Sequence, residues 1–194
     1  MASYVDLDSI FRDRENYPNE NNYQLLPQQT QKWFRAAREV RAFPSNPSLQ
    51  PLEFATTVNI VQLTIPYTPE LEAIPRLYIN FRCLRYDDTR LIFCINGTHP
   101  EAKFVVFPHS IQKDSQGVPI WIHWKSTMEQ TMRFDRSYPI QFQISTRDET
   151  ILPQLDNVPE DVPNPLKQTL CTLEITPYIR DGDYDNHVVT PFTN

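Results

Sequence analysis

The sequence predicts an all-β fold: a single antiparallel two-sheet sandwich, a jelly roll of about eight strands, with an N-terminal extended arm and one helix. Three observations carry this. From residue 52 onward the apolar pattern has a period of two, and no helical pattern is long enough for repeated crossovers. Eighteen prolines and only three glycines in 194 residues, against ordinary usage of about 5% and 7%, describe stiff loops rather than a helix bundle or a glycine-rich nucleotide fold. Only one stretch, residues 28–43, has helical spacing without an internal breaker.

In chain order, residues 1–27 read as an extended docking arm. Its core, residues 8–23, is D-S-I-F-R-D-R-E-N-Y-P-N-E-N-N-Y. Ser9, Arg12, Arg14 and Asn19 offer hydrogen-bonding groups, and Phe11, Tyr17 and Tyr23 are aromatic anchors at spacings that fit neither helix nor strand. Pro18 removes a donor and holds Tyr17 extended, so the expectation is a ribbon outside the core that gains order on another surface. Residues 28–51 are helix and linker. Trp33, Ala37 and Val40 give the helix a narrow apolar face; Arg35, Arg38 and Arg41, with Lys32, form a basic stripe that serves either as a solvated surface or as a contact with an acidic partner or nucleic acid. Pro44, Pro47 and Pro51 then mark a stiff linker.

Residues 52–176 are the sandwich. The first strand, 53–65, is rich in Thr, Val and Ile. Its apolar set moves from Val58 and Ile60 to Val61, Leu63 and Ile65, which predicts a bulge or a bend. Residues 77–83 alternate cleanly, and 91–95 would return as their hairpin partner. Further strands are expected at 103–107, 119–125, 127–134, 138–145 and 170–175, with Ile120, Ile122 and Trp124 on the face opposite Trp121 and His123. Residues 177–194 read as a loose tail.

Composition narrows the function. Residues 1–51 hold six Lys/Arg and six Asp/Glu, leaving twelve against eighteen in the rest, so the body is acidic and nucleic acid is disfavoured as a partner. No apolar run reaches the roughly 18 residues of a membrane span, and the polar start lacks a signal-peptide pattern, predicting synthesis in a cytoplasm without membrane insertion. Cys83, Cys94 and Cys171 form neither a C-x-x-C pair nor an even framework and read as reduced, buried thiols.

Chemistry-bearing patterns are sparse. His99, His109, His123 and His187 have no metal spacing, so neither a metal nor a cofactor is expected, and no nucleophile elbow or phosphate loop points to a catalytic residue or a small-molecule substrate. Asp181 to Asn186 places carboxylates at alternate positions but lacks the EF-hand glycine and closing Glu. Asn96-Gly97-Thr98 fits a turn as well as a glycosylation acceptor. Trp121, Trp124 and Tyr138 suggest a sugar-stacking platform only if they share a face, which strict alternation of the two tryptophans denies; a carbohydrate-binding β-sandwich module is the rival from another class.

The opening segment resembles the N-terminal signature of capsid structural proteins in the nucleocytoplasmic large DNA viruses, chlorella viruses and iridoviruses among them. Ser9, Arg12, Arg14, Tyr17, Pro18, Asn19 and Tyr23 carry the resemblance, and residues 77–83, 120–124 and 138–145 are similar in character to strands of minor capsid or vertex proteins of that group. The helical insertion at 28–43 departs from the pattern. The resemblance implies a non-enzymatic virion protein made in the host cytoplasm. Its sandwich would tile with neighbours while Ser9, Phe11, Arg12, Arg14, Tyr17, Pro18, Asn19 and Tyr23, with Trp33, Arg35, Arg38 and Arg41, contact the major capsid protein or other minor capsid proteins. Two roles fit: a minor capsid protein cementing capsomers, or a penton capsomer that would be a homopentamer.

Overall fold

The structure is a computed structural model that describes residues 3–26, 55–83, 102–133, 138–148, 150–155 and 163–177. Among these, nine strands are present: β1 Ser3–Asp8, β2 Asn22–Leu25, β3 Ala55–Pro66, β4 Leu77–Cys83, β5 Phe104–Lys113, β6 Pro119–Ser126, β7 Gln130–Arg133, β8 Ile140–Ser145 and β9 Leu170–Pro177. Every pairing is antiparallel. The order is β1-β9-β3-β6-β5-β4-β8-β2, with β7 alongside β3 where β6 has ended. The expected antiparallel all-β architecture is therefore present. The described strands, however, follow one continuous hydrogen-bonded path, curled into a half-barrel, where two facing sheets were expected.

The curl is visible in who touches whom. β1 and β2 are the two ends of the path, yet the Tyr23 hydroxyl of β2 donates to the Leu7 carbonyl of β1 at 3.4 Å across the interior. One core takes side chains from both ends: Val5 and Leu7, Tyr23 and Leu25, and between them Leu63, Phe81, Phe104, Trp124, Phe142 and Leu173, none exposed to solvent. Burying each such side chain contributes roughly 2 kcal/mol. On the opposite face Tyr78, Ala102 and Val105 form a smaller buried cluster.

The expectation that residues 1–27 lie apart from the folded core is corrected here. β1 pairs with β9 from Ser3↔Ile175 to Asp8↔Leu170, and β2 pairs with β8 from Asn22↔Gln143 to Leu25↔Ile140. Both are short alternating strands whose inward residues, Val5, Leu7, Tyr23 and Leu25, complete the core.

The long strand β3 organises the middle, with β9 along one side and β6 then β7 along the other. Its register slips between Ile60 and Gln62, leaving Val61 as the extra residue, and this is how Val58, Ile60, Leu63 and Ile65 all come to face the core. After β3, Thr68 caps the short helix α1, Pro69–Glu72, and Leu71 plugs the core. β5 and β6 form a long hairpin. Its tip is set by Asp114, whose carboxylate accepts from Gln116 N–H and Val118 N–H at 2.9 and 2.8 Å, and by Gly117 at φ +83°. The helix of 28–43, the strand at 91–95 and the tail beyond Pro177 lie outside the described residues.

Candidate functional site

The segment joining β1 to β2 crosses the end of the half-barrel and is held by buried polar contacts. Asp8 caps a 3₁₀ turn, Ser9–Phe11, by accepting from Ile10 N–H at 2.9 Å. That turn aims Arg12 inward. The guanidinium donates from Nε to Tyr17 O at 2.9 Å, from Nη1 to Ser9 O at 2.8 Å and to Gln168 Oε1, and from Nη2 to Pro18 O at 2.7 Å. Its planar fork thus fixes the path of residues 9–18. Arg12 Nη2 also lies 3.9 Å from Glu20 Oε2, and both side chains are fully buried.

The neighbouring polar residues tie the segment to distant parts of the chain. Ser9 N–H donates to Thr169 O at 3.0 Å, and Ser9 Oγ donates to Gln168 Oε1 at 3.0 Å and accepts from Thr169 N–H at 2.8 Å. Asn19 Nδ2 reaches Leu152 O at 2.9 Å and Asn21 Nδ2 reaches Pro153 O at 3.0 Å, while Glu20 Oε1 accepts from Leu155 N–H. Asn21 Oδ1 accepts from Thr169 Oγ1 at 2.8 Å, and its backbone carbonyl accepts from Ile144 N–H at 2.9 Å. Buried polar groups are tolerable only when paired, and here the pairing consolidates 9–21 with 144, 152–155 and 168–169.

Of the residues expected to meet a partner, Ser9, Arg12 and Tyr23 are therefore buried and used internally, and Asn19 is half-buried with its amide bonded to Leu152. These side chains are thus engaged within the chain itself. Tyr17 is half-buried: its ring packs on the core and its hydroxyl donates to Gln24 Oε1. Phe11, 40% exposed, and Pro18 face outward, and Arg14 is half-buried at the rim. Trp33, Arg35, Arg38 and Arg41 lie outside the described residues. Asn21 is one of the hydrogen-bonding residues that the sequence offers in this segment, whereas nothing in the pattern distinguishes Glu20, Gln168 or Thr169. Glu20 sits inside the motif; Gln168 and Thr169 become partners only through folding.

Beside this network the surface holds a shallow cleft of about 370 Å³, lined by Asp13, Asn16, Tyr17, Gln24 and Leu26. Asp13 organises its rim, accepting from Asn16 Nδ2 at 2.6 Å and from the N–H groups of Glu15 and Asn16. These bonds, that of the Asn16 side chain first, hold its carboxyl below the usual range.

A second polar group lies on the outer face. His123 Nδ1 is 3.1 Å from Gln62 Nε2 and 3.0 Å from Thr64 Oγ1, and its Nε2 is 3.2 Å from Gln112 Oε1. An acceptor at Nδ1 and an N–H at Nε2 satisfy all three partners, which selects that neutral tautomer. Desolvation, then the charge of His109, pushes its pKa below the ordinary value. Its partners among the described residues are an amide, a hydroxyl and a second amide, so it reads as a cross-strand clasp linking β3, β6 and β5. Trp124 is fully buried while Trp121 is partly exposed, so the two indoles share no platform. Cys171 is buried and free, its thiol pushed up by burial and then by Asp6. Among the described residues no group of three or more His, Cys, Asp or Glu is placed to hold a metal, and no helix is long and apolar enough to cross a membrane.

No protein-family model matches the chain, and no curated protein matches it.

Proposed function

We propose that the chain is a structural protein of a large icosahedral DNA virus capsid, a minor capsid protein with a jelly-roll-type scaffold that cements capsomers. One observation carries the reading. Ser9, Arg12, Tyr17, Pro18, Asn19 and Tyr23, which carry the resemblance to capsid proteins, all take part in hydrogen bonds, buried or part-buried, that fix the shape of residues 8–23. A component that must present the same surface to many identical neighbours gains from such pre-organisation, because less freedom is lost on contact.

On this reading the contact surface is not a free arm. Exposed Phe11 and Pro18, half-buried Arg14 and the cleft bounded by Asp13, Asn16, Tyr17, Gln24 and Leu26 are the parts of the segment that a neighbour would meet. The β5–β6 hairpin, exposed from Phe107 through Val118, gives a second projection for neighbouring capsid subunits. Many modest contacts of this kind sum to a stable interface. The test is a Phe11→Ala, Arg14→Ala double variant co-produced with particles. It is expected to fold, as judged by an unchanged far-UV spectrum and a cooperative melt, but to be depleted from purified virions. Incorporation at the wild-type level, or absence of the wild-type chain from virions, would refute the proposal.

A further inference from the structure

β1 ends the sheet: it pairs with β9 on one side and with no described strand on the other. The phase of the ladder says which backbone groups it turns outward. Ser9 N–H donates to Thr169 O, so these two are a hydrogen-bonded pair, and antiparallel alternation makes Leu7/Cys171 and Val5/Leu173 the next ones. The N–H and C=O groups of Tyr4, Asp6 and Asp8 therefore point to the open edge.

The side chains of the same three residues lie on the outer face, Tyr4 43% exposed and both aspartates half-buried. With Glu174, which accepts from the Tyr4 hydroxyl at 3.0 Å, they set three carboxylates beside one strip of open backbone. Among the described residues, no Lys or Arg forms an ion pair with any of these three. Asp8 is raised above the usual carboxyl range by its desolvation, and Asp6 adds to this against the opposing pull of Ile10 N–H and Arg12.

The contrast with β5 is instructive. Over residues 107–113, beyond its pairing with β4, that strand has Pro108 and a register shift between Pro108 and Ser110, two devices that spoil strand addition. β1 has neither.

We propose that the β1 edge accepts an extended basic segment of another protein, which adds as a strand and sets Lys or Arg at alternate positions against Asp6 and Asp8. At the register that pairs the most of the strand, a second copy of this chain is disfavoured. Two-fold antiparallel pairing of β1 centred on Asp6 would put Asp6 opposite Asp6, and like charges directly opposite destabilise a pair. The inference stands on the edge and its charge, independently of any role in a virion.

The test uses the full chain, isotope-labelled, with an acetylated and amidated hexapeptide of alternating Lys and Val as probe. Hydrogen exchange at the Tyr4, Asp6 and Asp8 amides should slow on adding the peptide, and the effect should weaken with salt. The Asp6→Asn, Asp8→Asn variant keeps an Asx cap at position 8 and should bind about tenfold more weakly, as losing charge-assisted contacts implies. The same peptide N-methylated at its Lys residues, whose N–H groups face β1 when Lys stands opposite Asp6 and Asp8, should not bind. Protection of those amides in the free chain, no protection by the peptide, protection confined to β2 or β5, equal binding of a Glu-for-Lys peptide, or concentration-dependent dimerisation through β1 would each overturn the proposal.

Discussion

Arg12 and Glu20 lie 3.9 Å apart, both side chains fully buried, where the ends of the curled sheet approach one another. A buried pair adds little net stability compared with an apolar pair, but removing one partner strands the other's charge. Arg12 also supplies hydrogen bonds to Ser9, Tyr17 and Pro18, so it is the more costly residue to lose. Arg12→Ala is expected to destabilise by about 3–5 kcal/mol, and Arg12→Lys to recover only part of this because an ammonium cannot reproduce the fork. Urea midpoints of the three proteins check the ranking.

Deleting residues 1–26 removes β1 and β2 together with the network between them, uncovering the edges of β9 and β8 and the core around Leu173 and Phe142. The truncated chain is expected to lose its cooperative thermal transition and become protease-sensitive. A folded remainder with an unchanged midpoint would mean that the segment is an appendage after all.

How much of this was legible in the sequence varies by element. β4 and β8 alternate between apolar and polar residues over six or more positions, and β3 announced its bulge in the shift from Ile60 to Leu63. β1 also alternates, Val5 and Leu7 against Tyr4, Asp6 and Asp8, but it stands before a polar run that drew the reading towards disorder. β2 has only Tyr23 and Leu25 to show, too short a pattern to separate from chance. The polar run reads as unstructured for a physical reason: Asn19, Glu20 and Asn21 bond to backbone groups at 152–155, and Ser9 and Arg12 to residues 168–169, and such distant pairings leave no local trace. β5 continued past Phe107 although its pattern stopped, because the exposed hairpin is held by backbone pairing to β6 rather than by burial.

Gly117 sits at φ +83° with open space where a Cβ would be. Gly117→Ala meets no clash and costs only the backbone strain, about 1 kcal/mol. Because the hairpin tip is remote from the core, the change is expected in local amide exchange at Asp114 to Val118 more than in the global midpoint.

His123 gives a pH dependence with a definite sign. Its folded pKa lies below its unfolded value, so the unfolded chain takes up the proton first. The clasp to Gln62, Thr64 and Gln112 is intact above about pH 6.5 and weakens as pH falls from there through the lower folded value. His123→Gln should flatten the stability profile between pH 7 and 5, the effect being small because the ring is partly open to solvent. Midpoints measured across that range, with the imidazole titration followed by NMR, check both sign and window.

The most direct measurement is a near-atomic map of assembled particles containing this chain. The expected result is a chain in the shell with residues 9–21 packed against its own 152–155 and 168–169, and with Phe11, Arg14 and the adjoining cleft against a neighbouring capsid subunit. A chain missing from the shell, or one whose residues 9–21 have left its own sheet to lie on a neighbour, would contradict it.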